Sequence, residues 1–406
     1  MSPTKAASIE IAAVPPQNTY NYAIGYLRAF LVVLVVAHHA ALAYHPDAPP
    51  APASLAAIPR WWQAFPVVDA HRAAWPRLFV GFNDSFFMAL MFLISGLFVW
   101  SGLRQKGTRG FLRGRFLRLG LPFLFAVAMI APLAYYPTYL QIASHGGFDG
   151  FVRQWLAIGV WPSGPAWFVW VLLVFDCIAA AMFSAMPRWA ATVGGFLAGP
   201  RSRPARFFVL LAAVSAAVYI PLELTYSGLA WSVFGPFTFQ TSRILHYLVY
   251  FLAGVGIGAC GLDRGPLAPE GKLARRWLLW AIAAVVTFLA LSAVAIAFLT
   301  AHIQSRAWET ATDLFFTLNC AASSFAFLAL FLRFARLRLK AWESLSRNSY
   351  GIYLVHYAFV SWIQLSLAGV SMAPTMKFAI VVCGAVGASW MTTIALRRLP
   401  GVARAV

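Results

Sequence analysis

Acidic residues are scarce in this chain. Its 406 residues include 12 Asp and Glu against 31 Lys and Arg, and charged residues of both signs make up only 11%. A soluble protein of this size carries about 25% charged residues, so a soluble globular class is excluded. Segments of ~10 residues alternating in polarity are also missing, which excludes a transmembrane β-barrel. The four cysteines, Cys177, Cys260, Cys320 and Cys383, stand apart inside apolar runs, with no CxxC and no zinc-ligand spacing. They read as packing residues, and neither a disulfide framework nor a metal site is expected. No GxSxG nucleophile elbow occurs.

What the chain has instead is apolar length. Hydrophobic residues make up 61% of it, in runs near the ~20 residues that cross a bilayer core. The pattern predicts an all-α, polytopic integral membrane protein of about ten transmembrane helices. They fall near 24–44, 78–101, 119–137, 165–186, 207–226, 243–262, 277–300, 311–332, 349–370 and 375–396. A net charge of +19 could point to nucleic acid, but the basic residues sit between apolar runs in alternate loops. Counting Lys5, 23 of the 31 Lys and Arg fall on one side. By the positive-inside rule that side is cytoplasmic, so no nucleic-acid partner is expected and both termini lie inside. The localisation implied is the cytoplasmic (inner) membrane, multi-pass, with membrane lipids as partners. Residues 1–20 are polar and Pro-containing and read as a disordered cytoplasmic tail. Residues 21–398 form one transmembrane domain, and 399–406 a second cytoplasmic tail. Lys5, the first apolar run and "AALAY" imitate a signal peptide, but the leading region is too long and ionisable residues interrupt the run. The opposite face has two substantial loops, about 45–77 and 138–164, rich in Trp, Pro and His.

The first helix, "YLRAFLVVLVVAHHAALAYH" from Tyr26, contains Arg28, His38 and His39. Ionisable groups are costly in lipid and usually serve a purpose there. Eleven residues turn an α-helix through about 1100°, so Arg28 and His39 share one face about 16 Å apart. His38 points about 100° away and is expected to face something else. Taken singly, Arg28 can snorkel to headgroups and His39 can hydrogen-bond a neighbouring helix. Together they suggest a polar track from the cytoplasm into the membrane, with an imidazole suited to general-base work near neutral pH. In "RGRFLRLGLP", Arg115 and Arg118 are three apart and therefore neighbours on a helix. Paired guanidinium forks suit phosphate groups, although topology charge or anionic-lipid contact reads equally well.

These residues resemble a family. Arg28-x10-His39, "FFMALMFLISGLF" (Phe86–Phe98), "RFLRLGLP" (Arg115–Pro122) and "NSYGIYLVHY" (Asn348–Tyr357) are similar in order and spacing to the elements of the membrane acyltransferase-3 family. Within it, "SFFMALMFLISG" and the His39/Tyr44 spacing look closest to the branch that includes glucan biosynthesis protein C, a glucan-succinylating enzyme. The resemblance implies an acyltransferase that moves an acetyl, succinyl or similar group from cytosolic acyl-CoA to a hydroxyl of an extracytoplasmic carbohydrate. Acyl-CoA enters as donor substrate, and no bound cofactor is implied. The resemblance implies a catalytic role for His39 and donor-binding roles for Arg28, Arg115 and Arg118. One departure is Gly25, where relatives often carry Asp three residues before the arginine.

Other polar residues fall inside the apolar runs. Asp84 is a candidate to orient the His39 imidazole, or else an interfacial residue. His356 is a candidate for the acyl-donor pocket, with a structural hydrogen bond as the alternative. Asp176 could pair with a buried arginine such as Arg243. Trp167 and Trp170 suit an aromatic belt, and Trp167 could also stack on an acceptor sugar. Ser95-Gly96 suits close helix contact better than nucleophilic chemistry. The competing class is a transporter or flippase, against which stands the lack of paired Gly/Pro-broken helices in two related halves.

Overall fold

A computed structural model describes residues 22–56, 63–143, 147–198, 204–262, 265–300 and 305–405. The expected N-terminal tail lies outside them. The chain is helical in α1 (Tyr22–Leu42), α2 (Trp75–Gly96), the long run α3 (Val99–Ile142), α4 (Phe148–Ala157), α5 (Trp167–Ala185), α6 (Trp189–Ala198) and α7 (Pro204–Tyr226). Then come α8 (Ile244–Cys260), α9 (Trp277–Thr300), α10 (Arg306–Phe334), α11 (Lys340–Leu367) and α12 (Pro374–Leu396). Among the described residues the departure from all-α is one antiparallel hairpin between α7 and α8, in which β1 (Trp231–Phe234) pairs with β2 (Phe237–Gln240).

Eight helices among the described residues are long and apolar enough to cross a bilayer. The two other expected crossings are helices of different character. At 17 residues α8 is apolar but short. With 28 residues α11 is long enough, but its polar side chains, among them Glu343, Asn348, His356 and Gln364, face inward. Burial separates centre from periphery: 72% of the most apolar window of α1 is buried, against 11% for α9. The exposed face of α9, Leu278, Ile282, Val285 and Leu289, recurs at helical spacing and suits acyl chains. The same distinction corrects the reading of the cysteines. Cys320 is buried, whereas Cys177 and Cys383 lie on the exposed side of their helices.

Two local devices shape the centre. Glycines let α8 press onto α2. A Cβ on Gly254 or Gly258 would sit 2.1 or 2.0 Å from the carbonyl oxygens of Leu93 or Leu97, and one on Gly96 would sit 2.2 Å from that of Phe251. Ser95-Gly96 thus serves close packing, as small residues do between membrane helices. The second device is proline in α3. Proline donates no N–H, so it frees a carbonyl one turn back. Pro122 and Pro137 leave the oxygens of Arg118 and Leu133, which accept from Tyr350 Oη at 2.6 Å and Trp362 Nε1 at 3.0 Å on α11. Where the helix widens to i→i+5 bonding over Ala126–Ile130, Pro132 leaves Val127 O for Trp161 Nε1 at 3.0 Å. Non-polar surroundings demand such replacements, and here they fasten α3 to α11 and to the connection before α5. Gly107, at φ 65°, ψ 170°, kinks α3 sharply near its start, ahead of the prolines.

Candidate active site

One stripe of α1 builds the site. Arg28, Leu31 and Val32 line a cavity of about 210 Å³, and Val35, His38, His39 and Leu42 line a second of about 430 Å³. These positions recur every three or four residues, so they form a single helical face. The separation of Arg28 and His39 along an uninterrupted helix is about 16 Å. Tyr353 borders both cavities. Its hydroxyl donates to the Pro165 carbonyl oxygen, and its ring packs against Phe168 with centroids 5.6 Å apart.

The first cavity gathers Arg28, Arg115 and Arg118. Arg28 is exposed, and its Nη2 donates to Ser346 O at 3.0 Å. Ser346 Oγ donates to Gly25 O at 2.9 Å. Ser346 thus ties both the Arg28 guanidinium and the Gly25 backbone to α11. Arg115 Nε lies 3.2 Å from Asp176 Oδ2, so Asp176 pairs with Arg115 rather than with Arg243. The reason is topological: α5 runs beside the start of α3, while Arg243 opens α8 beside α2. Arg118 is exposed, on a turn where Leu121 N–H reaches back to Phe116 O. Such wide turns re-aim side chains and recur at functional sites. Met91, Ile94, Phe98, Leu119 and Leu172 supply apolar wall, with Ser95, Ser349 and Tyr350 among them.

The second cavity is the larger of the two. Besides the histidines it is lined by His45, Gln63, Arg77, Asp84, Trp167 and, from the hairpin, Trp231, Thr238 and Gln240. His39 is half-buried, with its ring edge-on to Tyr357 at 4.8 Å and 5.4 Å from His356. Its backbone is held by Gln364 Nε2, which donates to the carbonyl oxygens of His39 and Ala40 at 3.1 and 3.2 Å. His38 does not point elsewhere. It borders the same cavity, stacked on Phe87 at 5.1 Å, because α2 packs close enough to close that side of the stripe. Asp84 also lines the cavity, but its Oδ2 is 2.7 Å from Arg243 Nη1. Asp84 was a candidate to orient His39 or else an interfacial residue; its partner in the structure is a buried guanidinium that also lies 4.7 Å over the Phe316 ring.

His356 is fully buried and borders neither cavity. It lies behind His39, with Nδ1 2.6 Å from Tyr353 O. Trp167 faces the second cavity, edge-on to Trp231 at 5.6 Å. Trp170 is a hairpin anchor, its Nε1 donating to Thr238 O at 2.9 Å. At the rim, Arg77 binds Asp47 through two nitrogens at 2.6 and 2.8 Å and holds that carboxyl below its usual range. Partial burial holds His45 below the ordinary imidazole value.

Several contributors escaped the sequence. Tyr353 and Tyr357 lie inside "NSYGIYLVHY" with no role assigned to them, yet one borders both cavities and the other backs His39. The spacing of Tyr350, Tyr353 and Tyr357 marks one face of α11, and that was the available signal. Gln63 has no such signal. Its carbonyl oxygen accepts from Tyr135 Oη at 2.7 Å and Tyr357 Oη at 3.1 Å, a contact between distant segments.

A model of the acyltransferase 3 family, described as an acyltransferase domain, matches residues 21–394. No curated protein and no solved structure matches the chain.

Proposed function

The chain belongs to the acyltransferase 3 family and is a membrane acyltransferase, and on that premise we propose that it carries an acyl group from acyl-CoA to a carbohydrate hydroxyl across the membrane. The observation that carries this reading is the shared stripe of α1, with three arginines in one cavity, the histidines in the other and Tyr353 bordering both. CoA phosphates bind at Arg28, Arg115 and Arg118, where guanidinium forks match phosphate oxygens. The apolar walls beyond suit the pantetheine arm and a short acyl chain. The acceptor enters the second cavity, where Trp167 and Trp231 offer ring faces and Asp84, Gln240 and His45 offer polar contacts. His39 takes the proton of the acceptor hydroxyl as its oxygen attacks the thioester carbonyl. The carbon–sulfur bond then breaks, and the leaving thiolate takes that proton from the imidazolium. The scheme needs no metal or bound cofactor.

The basic loops assign the Arg28 end to the cytoplasm, so the protein sits in the cytoplasmic membrane with both termini inside. Acetyl and succinyl are the acyl groups considered, and a glucan or surface polysaccharide is the acceptor class. The comparisons do not single out the glucan biosynthesis protein C branch.

Sealed vesicles of known orientation test the reading. Acyl-CoA is supplied only on the side of the Arg28 cavity, and an impermeant oligosaccharide only on the other. Acylated oligosaccharide is expected to accumulate opposite the donor, with CoA released on the donor side. Transfer only when both substrates share a compartment would overturn the through-membrane route. Carbohydrate movement without thioester cleavage would assign the chain to transport.

A further inference from the structure

His39 and His356 each bury a ring nitrogen with no protein partner. The two rings are 5.4 Å apart, centroid to centroid. On His39 the unpartnered atom is Nδ1, and on His356 it is Nε2. The tautomer of His356 follows from its other nitrogen. Nδ1 is 2.6 Å from the Tyr353 carbonyl oxygen, which can only accept, so Nδ1 carries the proton. Neutral His356 therefore presents a bare lone pair at Nε2. Buried polar atoms are normally hydrogen-bonded, and these two rings are near enough to partner each other. Among groups facing His39, Asp84 is engaged by Arg243, His38 buries its own unpartnered Nδ1, and Tyr357 donates to Gln63.

The geometry points to His356 as the positioning residue of His39. A small rotation of the His39 ring brings its Nδ1–H onto His356 Nε2. That contact fixes the His39 tautomer with Nε2 bare, so that this nitrogen can take the acceptor proton. When His39 becomes an imidazolium, the same lone pair receives a charge-assisted hydrogen bond from Nδ1–H. His356 thus performs, as a neutral base, the orienting task that a carboxylate performs in other acid–base pairs. Tyr353 completes the relay of orientation, because its carbonyl sets the His356 tautomer while the residue borders both cavities. This inference rests on the proposed base role of His39 and extends it.

The test uses the full-length enzyme in lipid nanodiscs with acyl-CoA and an oligosaccharide. His39→Ala comes first: retained transfer would remove the base reading itself and with it this proposal. With transfer lost in His39→Ala, His356→Phe is expected to lower kcat by roughly 10- to 100-fold, the scale of one charge-assisted hydrogen bond, with both KM values within about twofold by uniform-binding logic. His356→Gln, which restores an acceptor oxygen, is expected to recover most of that loss. In the His39→Ala background, His356→Phe should cause no further change. A raised acyl-CoA KM at unchanged kcat would make His356 a donor contact. A further loss in the His39→Ala background, or no recovery with Gln, would make it a structural residue. If His356→Phe does not fold, the ¹⁵N shifts of labelled histidine in the wild-type and His356→Gln enzymes decide. A single Nδ1–H form of His39 supports the pair, and a mixture of tautomers overturns it.

Discussion

Replacing Lys377 with methionine is expected to destabilise this protein far more than removing an exposed charge. Lys377 lies in the first turn of α12 and is fully buried, with Nζ 2.6 Å from Asp69 Oδ2. Asp69 is 1% exposed, and its other oxygen accepts from His71 N–H at 2.8 Å. Removing the ammonium leaves a carboxylate out of water with one backbone donor and the edge of the His71 ring. Breaking a buried pair from one side costs about 3–5 kcal/mol, a factor of roughly 10² to 10⁴ in the folding equilibrium. The damage should spread to function, because Asp69 also anchors its loop to the end of α1. Asp69 N–H donates to Ala43 O at 3.0 Å, and Ala73 N–H to Tyr44 O at 3.1 Å. The assay is thermal unfolding of the purified enzyme in nanodiscs for wild type, Lys377→Met, Lys377→Met with Asp69→Leu, and Arg77→Ala as the exposed-pair control. The single Lys377 variant should melt lowest. The double variant should recover much of the loss, since an apolar pair leaves no charge uncompensated. A Lys377→Met melting point equal to that of the control, or a double variant below the single, would refute the reasoning.

Two further outcomes are expected. His39→Ala should abolish transfer, a loss of about 10²- to 10⁴-fold or more for a general base, with normal expression and membrane insertion. His38→Ala should be milder, since that ring stacks on Phe87; near-normal transfer by purified His39→Ala would end the general-base assignment. Arg115→Gln with Arg118→Gln should raise the apparent KM for acyl-CoA and leave that for the acceptor unchanged, as a lost phosphate contact weakens donor binding. A shift confined to the acceptor KM would move both arginines to the other substrate.

How much of this was written in the sequence differs by scale. Helix positions were legible because long apolar runs permit few alternatives, and the Arg28–His39 face was legible because helical periodicity is fixed. Partner choice was not. Asp84 and Asp176 are both carboxylates inside apolar runs, and only the three-dimensional order of α2, α3, α5 and α8 decides which arginine each meets. His38 was misplaced because a helical wheel gives direction but not how far a cavity wraps around a helix. The cysteines show the same limit from another side. Apolar surroundings in sequence do not distinguish a packed core from a lipid-facing surface, and Cys177 and Cys383 took the second. The hairpin that walls the second cavity lay in a connection between two runs, where there was no periodicity to read.

The wall at Tyr353 bears on a property that has nothing to do with chemistry. A membrane stores ion and proton gradients only while nothing wet runs straight through it. Two cavities set one after the other along one helix come close to being a pore, and a hydrated pore would short-circuit the cell that contains it. Here the residue common to both linings is a tyrosine whose hydroxyl is fastened to the Pro165 backbone and whose ring leans on Phe168. On the proposed route, a side chain held in that way would let a slender, largely apolar arm pass while denying water a continuous file. Removing it, as in Tyr353→Ala, would cost the host membrane its electrical resistance as well as its enzyme.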